Sequence, residues 1–391
     1  MKKLSLQDLS LAGKQVLMRV DFNVPMKEGV ITDDARIKAC IPSIEYILNA
    51  GASLILMSHL GRPEGKIDPQ FSLKPLVPLL SKLLNKEVKF APDCIGPATE
   101  KLASTLKPGE ILLLENLRFH KEEEKGDPAF AKQLASLGNT YVNDAFATAH
   151  RKHASTAVIA ESFPNAAATG FLMEKEIAFL SPLALNPKRP FHALIGGAKI
   201  STKCGVLAAL IEKVDALFLG GGMIFTFFKA QGLGIGSSIV DMENLDTARA
   251  VIKRCQEKAI QLYLPKEVVI TNDTDVKIVS VNNIPEGWKG VDIAPSTIED
   301  WTAPLKNAQT IFWNGPMGIF EDPRFAKGTE ALAKLLSESK ATTVVGGGDS
   351  VAAITQAGFS KNFSHVSTGG GASLEFLELG YLPGIEALSN R

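Results

Sequence analysis

The chain has 391 residues, 45% hydrophobic and 21% charged, which is more than one ordinary core holds and enough to bury two. Its 42 lysines and arginines balance 42 aspartates and glutamates, so nothing draws it generally to nucleic acid or a membrane, and any anion site must come from local clustering. The four cysteines, Cys40, Cys94, Cys204 and Cys255, are scattered without a C-x-x-C pair or metal-ligand spacing, which fits a reducing cytoplasm.

The opening MKKLSLQDLS has two lysines but no apolar stretch behind them. Nowhere do about eighteen apolar residues follow one another, so neither an export signal nor a membrane span is expected. Short β-rich apolar runs then alternate with longer stretches of helical periodicity, which predicts an α/β chain of doubly wound, Rossmann-like parallel sheets. In the first half strands are predicted at Val16–Val20, Ser53–Met57, Ile111–Leu114 and Thr140–Val142. Between the first two, Asp33 or Asp34 can cap a helix running to Ala50 and stopped by Gly51, with Ile37, Ile41, Ile44, Ile47 and Leu48 on one face. The charge run Lys121–Lys125 is most simply a solvated turn. A helical stretch, Met173–Leu180, and three prolines, Pro182, Pro187 and Pro190, suggest a hinge and boundary. Beyond it strands are predicted at His192–Ile195, Ala216–Leu219, Glu267–Ile270, Thr310–Trp313, Thr342–Val345 and His365–Ser367.

Ligands of open α/β sheets bind beyond the carboxyl ends of the strands. In the first half those ends carry Asp21 and Asn23, then His59 and Arg62, then Arg118, then His150, Arg151 and His153, and Arg36 follows the Asp33-Asp34 turn. Up to four guanidinium forks could thus converge on a phosphate or carboxylate, although each alone could equally be a surface residue. His150-x-x-His153 lacks the third ligand that a metal pair needs. His59, beside Arg62, suits an anion contact, and His120, His192 and His365 read as structural.

In the second half the strand ends carry glycine instead: Gly196-Gly197-Ala198-Lys199, Gly220-Gly221-Gly222, Asn314-Gly315-Pro316, Gly346-Gly347-Gly348-Asp349-Ser350 and Gly369-Gly370-Gly371. Glycine lets backbone amides approach phosphate oxygens, and a following helix adds its N-terminal N–H groups. Neither a Walker motif nor G-x-G-x-x-G is present. Lys199 and Lys203 can flank a polyphosphate and Asp349 can hold its magnesium ion, or they can serve as a helix lysine and a helix cap.

Read together, Arg19-Val-Asp-Phe-Asn-Val-Pro25, Ser58-His-Leu-Gly-Arg-Pro63, Leu114-Glu-Asn-Leu-Arg-Phe119, Tyr141-Val-Asn-Asp-Ala-Phe146, Gly196-Gly-Ala-Lys-Ile-Ser201, Trp313-Asn-Gly-Pro316, Gly346-Gly-Gly-Asp-Ser350 and Ser367-Thr-Gly-Gly-Gly-Ala-Ser373 resemble the phosphoglycerate kinase family. The departures are mild: Leu117, Ala147 and Ser350 stand where Thr, Gly and Thr are common. The resemblance implies two domains facing a cleft and joined by a hinge helix. These are residues 1–172 for 3-phosphoglycerate or 1,3-bisphosphoglycerate, 173–190 for the hinge and linker, and 191–374 for ATP or ADP, with 375–391 packing back on the first. It implies that Asp21, Asn23, Arg36, His59, Arg62, Arg118 and Arg151 bind the phosphoglycerate. It implies that Lys199, Lys203, Gly220, Asn314, Gly315, Glu321, Gly347, Gly348, Asp349 and Ser350 bind the nucleotide, with Mg2+ on Asp349, and that Arg36, Lys199, Gly347 and Gly370 serve the transfer. A cytoplasmic monomer that closes about its hinge, without nucleic-acid or membrane partners, is the expectation.

Overall fold

The first half has six strands in one sheet, of which all but the edge strand β3 are buried on both faces: β1 (Gln15–Arg19), β2 (Ser53–Met57), β3 (Val88–Phe90), β4 (Ile111–Leu113), β5 (Thr140–Asn143) and β6 (Ala167–Thr169). A computed structural model, which describes residues 2–391, shows why. Val16 and Met18 pack with Leu54, Leu56 and Val142 on one side, while Leu17 packs with Ile55, Leu112 and Tyr141 on the other. That is the alternation a period of two imposes when both faces are covered. The strands pair in the order β3-β4-β2-β1-β5-β6, all parallel. Arg19 stands opposite both Met57 and Asn143, so the carboxyl ends of β1, β2 and β5 are level.

Helix α1 (Ala35–Asn49) buries Ile37, Ile44, Ile47 and Leu48 against this sheet. Of its two candidate caps, Asp33 is the one whose carboxylate accepts the Ala35 N–H, at 2.9 Å, whereas Asp34 pairs with Lys38 at 2.8 Å. The chain divides into two compact units, Met1–Ala178 with Tyr381–Arg391, and Phe179–Gly380. Helix α2 (Phe171–Leu185) contains the boundary. Its first turn is anchored in the first unit: the Ser43 hydroxyl accepts the Phe171 N–H at 2.9 Å and the Asp144 carboxylate accepts that of Met173 at 3.0 Å. The terminal return begins at Tyr381, with Leu388 in the first unit's core and Ser389 donating its N–H to Ala167 at 3.0 Å.

The second unit repeats the plan with β7 (Phe191–Ile195), β8 (Ala216–Leu219) and β9 (Gln261–Tyr263), then β13 (Thr310–Asn314), β14 (Thr342–Gly346) and β15 (His365–Val366). They are ordered β9-β8-β7-β13-β14-β15 and all parallel. Helices α3 (Cys204–Ile211), α4 (Gly348–Gln356) and α5 (Gly371–Leu379) follow glycine-bearing turns. The predicted strand near Glu267 forms, as β10 (Glu267–Thr271), but outside the parallel sheet. With β11 (Val276–Ser280) and β12 (Lys289–Ile293) it makes an antiparallel sheet ordered β11-β10-β12. The turn at Asn272–Asp275, in which the Asn272 side chain accepts the Thr274 and Asp275 N–H groups, is far too short for the crossover a parallel pair needs. Among the described residues no helix is long and apolar enough to cross a membrane.

Candidate active site

The first unit gathers cations at the level ends of β1, β2 and β5. Arg118 is aimed by a local device. The Asn116 side chain accepts the Arg118 N–H at 3.0 Å, capping the single turn Leu117–Phe119, and its own amide grips the carbonyls of Leu60 and Phe71. Thus fixed, the buried Arg118 donates from Nη1 to the Gly61 carbonyl at 2.9 Å. Its Nε lies 3.3 Å from Glu124 but without hydrogen-bond alignment. The Asn23 carboxamide oxygen accepts the Gly61 N–H at 2.9 Å, tying the loop after β1 to the loop after β2. Arg36, on the first turn of α1, reaches from Nη1 to Asp21 Oδ2 at 2.9 Å and to the Asn23 carbonyl at 3.2 Å. Its side chain stays 41% exposed, free to meet a ligand as well. Arg151 donates to His150 Nε2 at 3.2 Å, a contact that leaves its charge uncompensated.

His59 is buried among them. Burial first, then the guanidinium groups of Arg19, Arg118, Arg36 and Arg151, hold its imidazole well below the usual histidine range, so it is neutral. Asp21, Asn23, Arg36, His59, Arg118 and Arg151 are therefore drawn together, as predicted. Arg62 shares their loop but is exposed, and among the described residues it makes no ion pair.

Beneath lies a layer that sequence reading missed. Arg19, fully buried, donates from Nε to the Ser155 hydroxyl at 2.8 Å and lies 3.3 Å from His59 Nδ1. Ser155 donates in turn to both oxygens of Glu123, from Oγ at 2.6 Å and from its N–H at 2.9 Å. Glu123 is fully buried, which corrects the reading of Lys121–Lys125 as a solvated turn. That segment is a short helix with its middle residue facing inward, where Arg19 and Ser155 compensate its charge. His153 joins this layer 4.0 Å from Glu123, its imidazole pushed down to about 3 by burial and the neighbouring arginines. The available signal was an arginine closing an otherwise apolar strand.

The second unit presents the glycine turns. The Asn314 side chain at the end of β13 accepts from Lys203 Nζ and donates to the Gly346 carbonyl at 2.6 Å, joining two predicted residues to the start of the Gly346–Ser350 turn. Ser350, in the first turn of α4, accepts the Gly315 N–H at 2.5 Å. Gly347 has φ +96°, and a Cβ there would lie 2.4 Å from Asn314 Nδ2, so this turn requires glycine. Gly348 and Asp349 open α4 in solvent, their N–H groups outside the helical ladder. Gly370 likewise precedes α5. Lys203 is half-buried, and burial lowers its ammonium pKa while Asp349 pulls it back up. Lys199 is exposed, close enough to help depress the Asp241 carboxyl.

Beside these turns a cavity of about 460 Å³ is walled by Gly221, Gly222, Phe225, Ile239, Val291, Met317 and Ile319. Glu321 and Asp349 stand at its margin. Gly220 sits behind it, where a Cβ would meet Met317 Sδ at 2.2 Å. An apolar slot next to a row of free backbone amides suits a flat heterocycle carrying a polyphosphate.

Comparison with known proteins bears on both halves. A family model described as phosphoglycerate kinase matches residues 6–379. The cytosolic phosphoglycerate kinase of Nicotiana tabacum is 52% identical over 394 residues, covering 99% of this chain and 98% of the relative. The phosphoglycerate kinase of Moorella thermoacetica is 50% identical over 395 residues and covers all of both. The solved phosphoglycerate kinase of Coxiella burnetii superposes with a TM-score of 0.90 at 40% identity, over 98% of each chain.

Proposed function

The chain belongs to the phosphoglycerate kinase family, and from that premise we propose how its residues divide the work. It is a phosphotransferase that moves the acyl phosphate of 1,3-bisphosphoglycerate to ADP, giving 3-phosphoglycerate and ATP, reversibly. The observation that carries the assignment of sites is the convergence of four arginines on the neutral His59. Asp21 stands beside Arg36 and Glu124 beside Arg118, but Arg151 and Arg62 have no carboxylate partner among the described residues, and that excess of positive charge suits a multiply charged acid.

In this reading Arg118, Arg151, Arg62 and His59 hold the phosphate of the phosphoglycerate, while Asp21 and Asn23 order Arg36 toward its carboxyl end. The nucleotide base enters the apolar slot, Glu321 meets the ribose, and its phosphates lie along Gly347, Gly348 and Ser350 between Lys199 and Lys203. Asn314 and Gly315 brace that turn. Asp349, a single exposed carboxylate at a helix start, fits a magnesium ion that arrives with the nucleotide, because Mg2+ takes one or two carboxylates and fills its other positions with phosphate oxygens and water. That ion neutralises phosphate charge when bound.

A β-phosphate oxygen of ADP attacks the acyl phosphorus, the bond to the acyl oxygen breaks, and the carboxylate leaves with the electron pair. No covalent enzyme intermediate is needed, so catalysis consists of positioning and charge neutralisation. Arg36 and Lys199 neutralise the phosphoryl group in flight, with the amides at Gly347 and Gly370 assisting. Since the two ligands bind to different units, transfer requires the units to close on one another, with water excluded. A cytoplasmic monomer completes the proposal, in keeping with relatives named cytosolic.

Titration calorimetry tests the division. Arg118→Gln is expected to abolish 3-phosphoglycerate binding and leave ADP binding unchanged, and Lys203→Met to do the reverse. Loss of both ligands in either folded variant would overturn it.

A further inference from the structure

The first unit holds a second cluster of chemistry-bearing side chains, which the phosphoryl transfer does not use. Asp93 and Cys94 follow β3, and His120 follows the turn that carries Arg118. Their potential ligand atoms, an Asp93 carboxylate oxygen, Cys94 Sγ and an imidazole nitrogen of His120, all lie within 4.8 Å of one another. We propose that Asp93, Cys94 and His120 form a binding site for a borderline-soft divalent cation of the zinc class, with water completing the coordination from the solvent side.

Several features prepare the site. Asp93 Oδ1 lies 2.7 Å from His120 Nε2 and accepts the Cys94 N–H at 2.6 Å. The Asp93 carbonyl accepts the Thr99 hydroxyl at 2.9 Å, and the His120 ring lies against Phe130 at a centroid distance of 5.3 Å. The three side chains are thus oriented by backbone and packing. Cys94 is fully buried while His120 and Asp93 keep 25% and 44% of their side-chain surface. An ion can therefore enter from the His120 and Asp93 side and meet the sulfur behind them. One thiolate, one imidazole and one carboxylate are the donor types of zinc and unlike the all-oxygen sets of magnesium or calcium.

Binding has a definite proton balance. The neutral Cys94 thiol gives its proton to solvent as the metal–sulfur bond forms, and the imidazole nitrogen must be free of its proton to offer a lone pair. No electron is transferred. Scanning cysteine spacing does not find this site, because its thiol and its imidazole lie beyond different strands.

Cobalt(II) is the probe, since a cobalt–thiolate bond adds a near-ultraviolet charge-transfer band that oxygen and nitrogen ligands do not. Titration of the full-length protein with Co2+ is expected to raise that band with one-to-one stoichiometry, and Zn2+ to displace it. Cys94→Ser should remove the band, His120→Gln should weaken Co2+ binding about tenfold or more, and Cys204→Ser should change neither. Metal-free circular dichroism and melting curves establish that the variants are folded. His120 is partly exposed, so its variant remains informative if Cys94→Ser does not fold. Absence of a thiolate band in the wild type, its persistence in Cys94→Ser, its loss in Cys204→Ser, or unweakened binding in His120→Gln would each overturn the proposal.

Discussion

Asp144 offers a sharp test of the electrostatics at the root of helix α2. The side chain is fully buried; its Oδ1 accepts the Met173 N–H, and its Oδ2 meets no donor in hydrogen-bond geometry. Burial raises its pKa from an ordinary 3.8 to about 7. The folded protein therefore keeps a proton that the unfolded chain loses between those values. Hence this group's contribution to stability falls as pH rises through the window and is level above it. The slope is about 1.4 kcal/mol per pH unit in mid-window and halves at pH 7, so roughly 2 kcal/mol is lost between pH 5 and pH 7. Asp144→Asn keeps the acceptor for Met173 and has no proton to lose. Urea denaturation of both proteins at pH 5, 6 and 7 isolates the effect, because every other titrating group is common to the two. The stability difference should move about 2 kcal/mol toward the Asn variant over that range. A difference that stays constant with pH would refute the reasoning, whatever its size at any one pH.

Two further outcomes follow from the geometry. Ser155→Ala leaves both Arg19 Nε and Glu123 Oε1 short of a partner inside the protein, and hydrogen bonds to charged groups contribute about 1.5–3 kcal/mol each. The first unit should lose roughly 3–6 kcal/mol in denaturant titration, and a loss below half a kcal/mol would show that water replaces the hydroxyl. Gly347→Ala forces a side chain into a left-handed turn and against Asn314. Calorimetry should give ADP affinity reduced about tenfold or more with 3-phosphoglycerate affinity intact.

Much of this was legible in the sequence because the relevant residues lie in short contiguous runs at strand ends. Arg118 is placed by Asn116 two residues away, and Gly347 by its own backbone. Residues whose surroundings come from afar were not legible. Glu123 sits in a run of charges, and only Arg19 and Ser155, brought from distant parts of the chain, make its burial tolerable. Arg19 lies within the predicted strand Val16–Val20, but its burial depends on the ends of β2 and β5 that stand beside it. Strands β3, β6 and β9 have three residues each and, with Lys89, two alanines and Gln261 among them, lack the continuous branched apolar run that marks β4. The Glu267 strand was legible as a strand but not in its pairing, which depends on the turn that follows it.

The proposed phosphoryl transfer has its two ends on different units. A coupled assay of ATP formation from 1,3-bisphosphoglycerate and ADP, run on the wild type, Arg36→Ala and Lys199→Ala, addresses it directly. The wild type should form ATP, and each variant should lose about 10²–10³ in kcat, the cost of removing one donor that faces developing charge. A folded wild-type protein that forms no ATP would contradict the central claim, and unimpaired variants would contradict the roles given to Arg36 and Lys199.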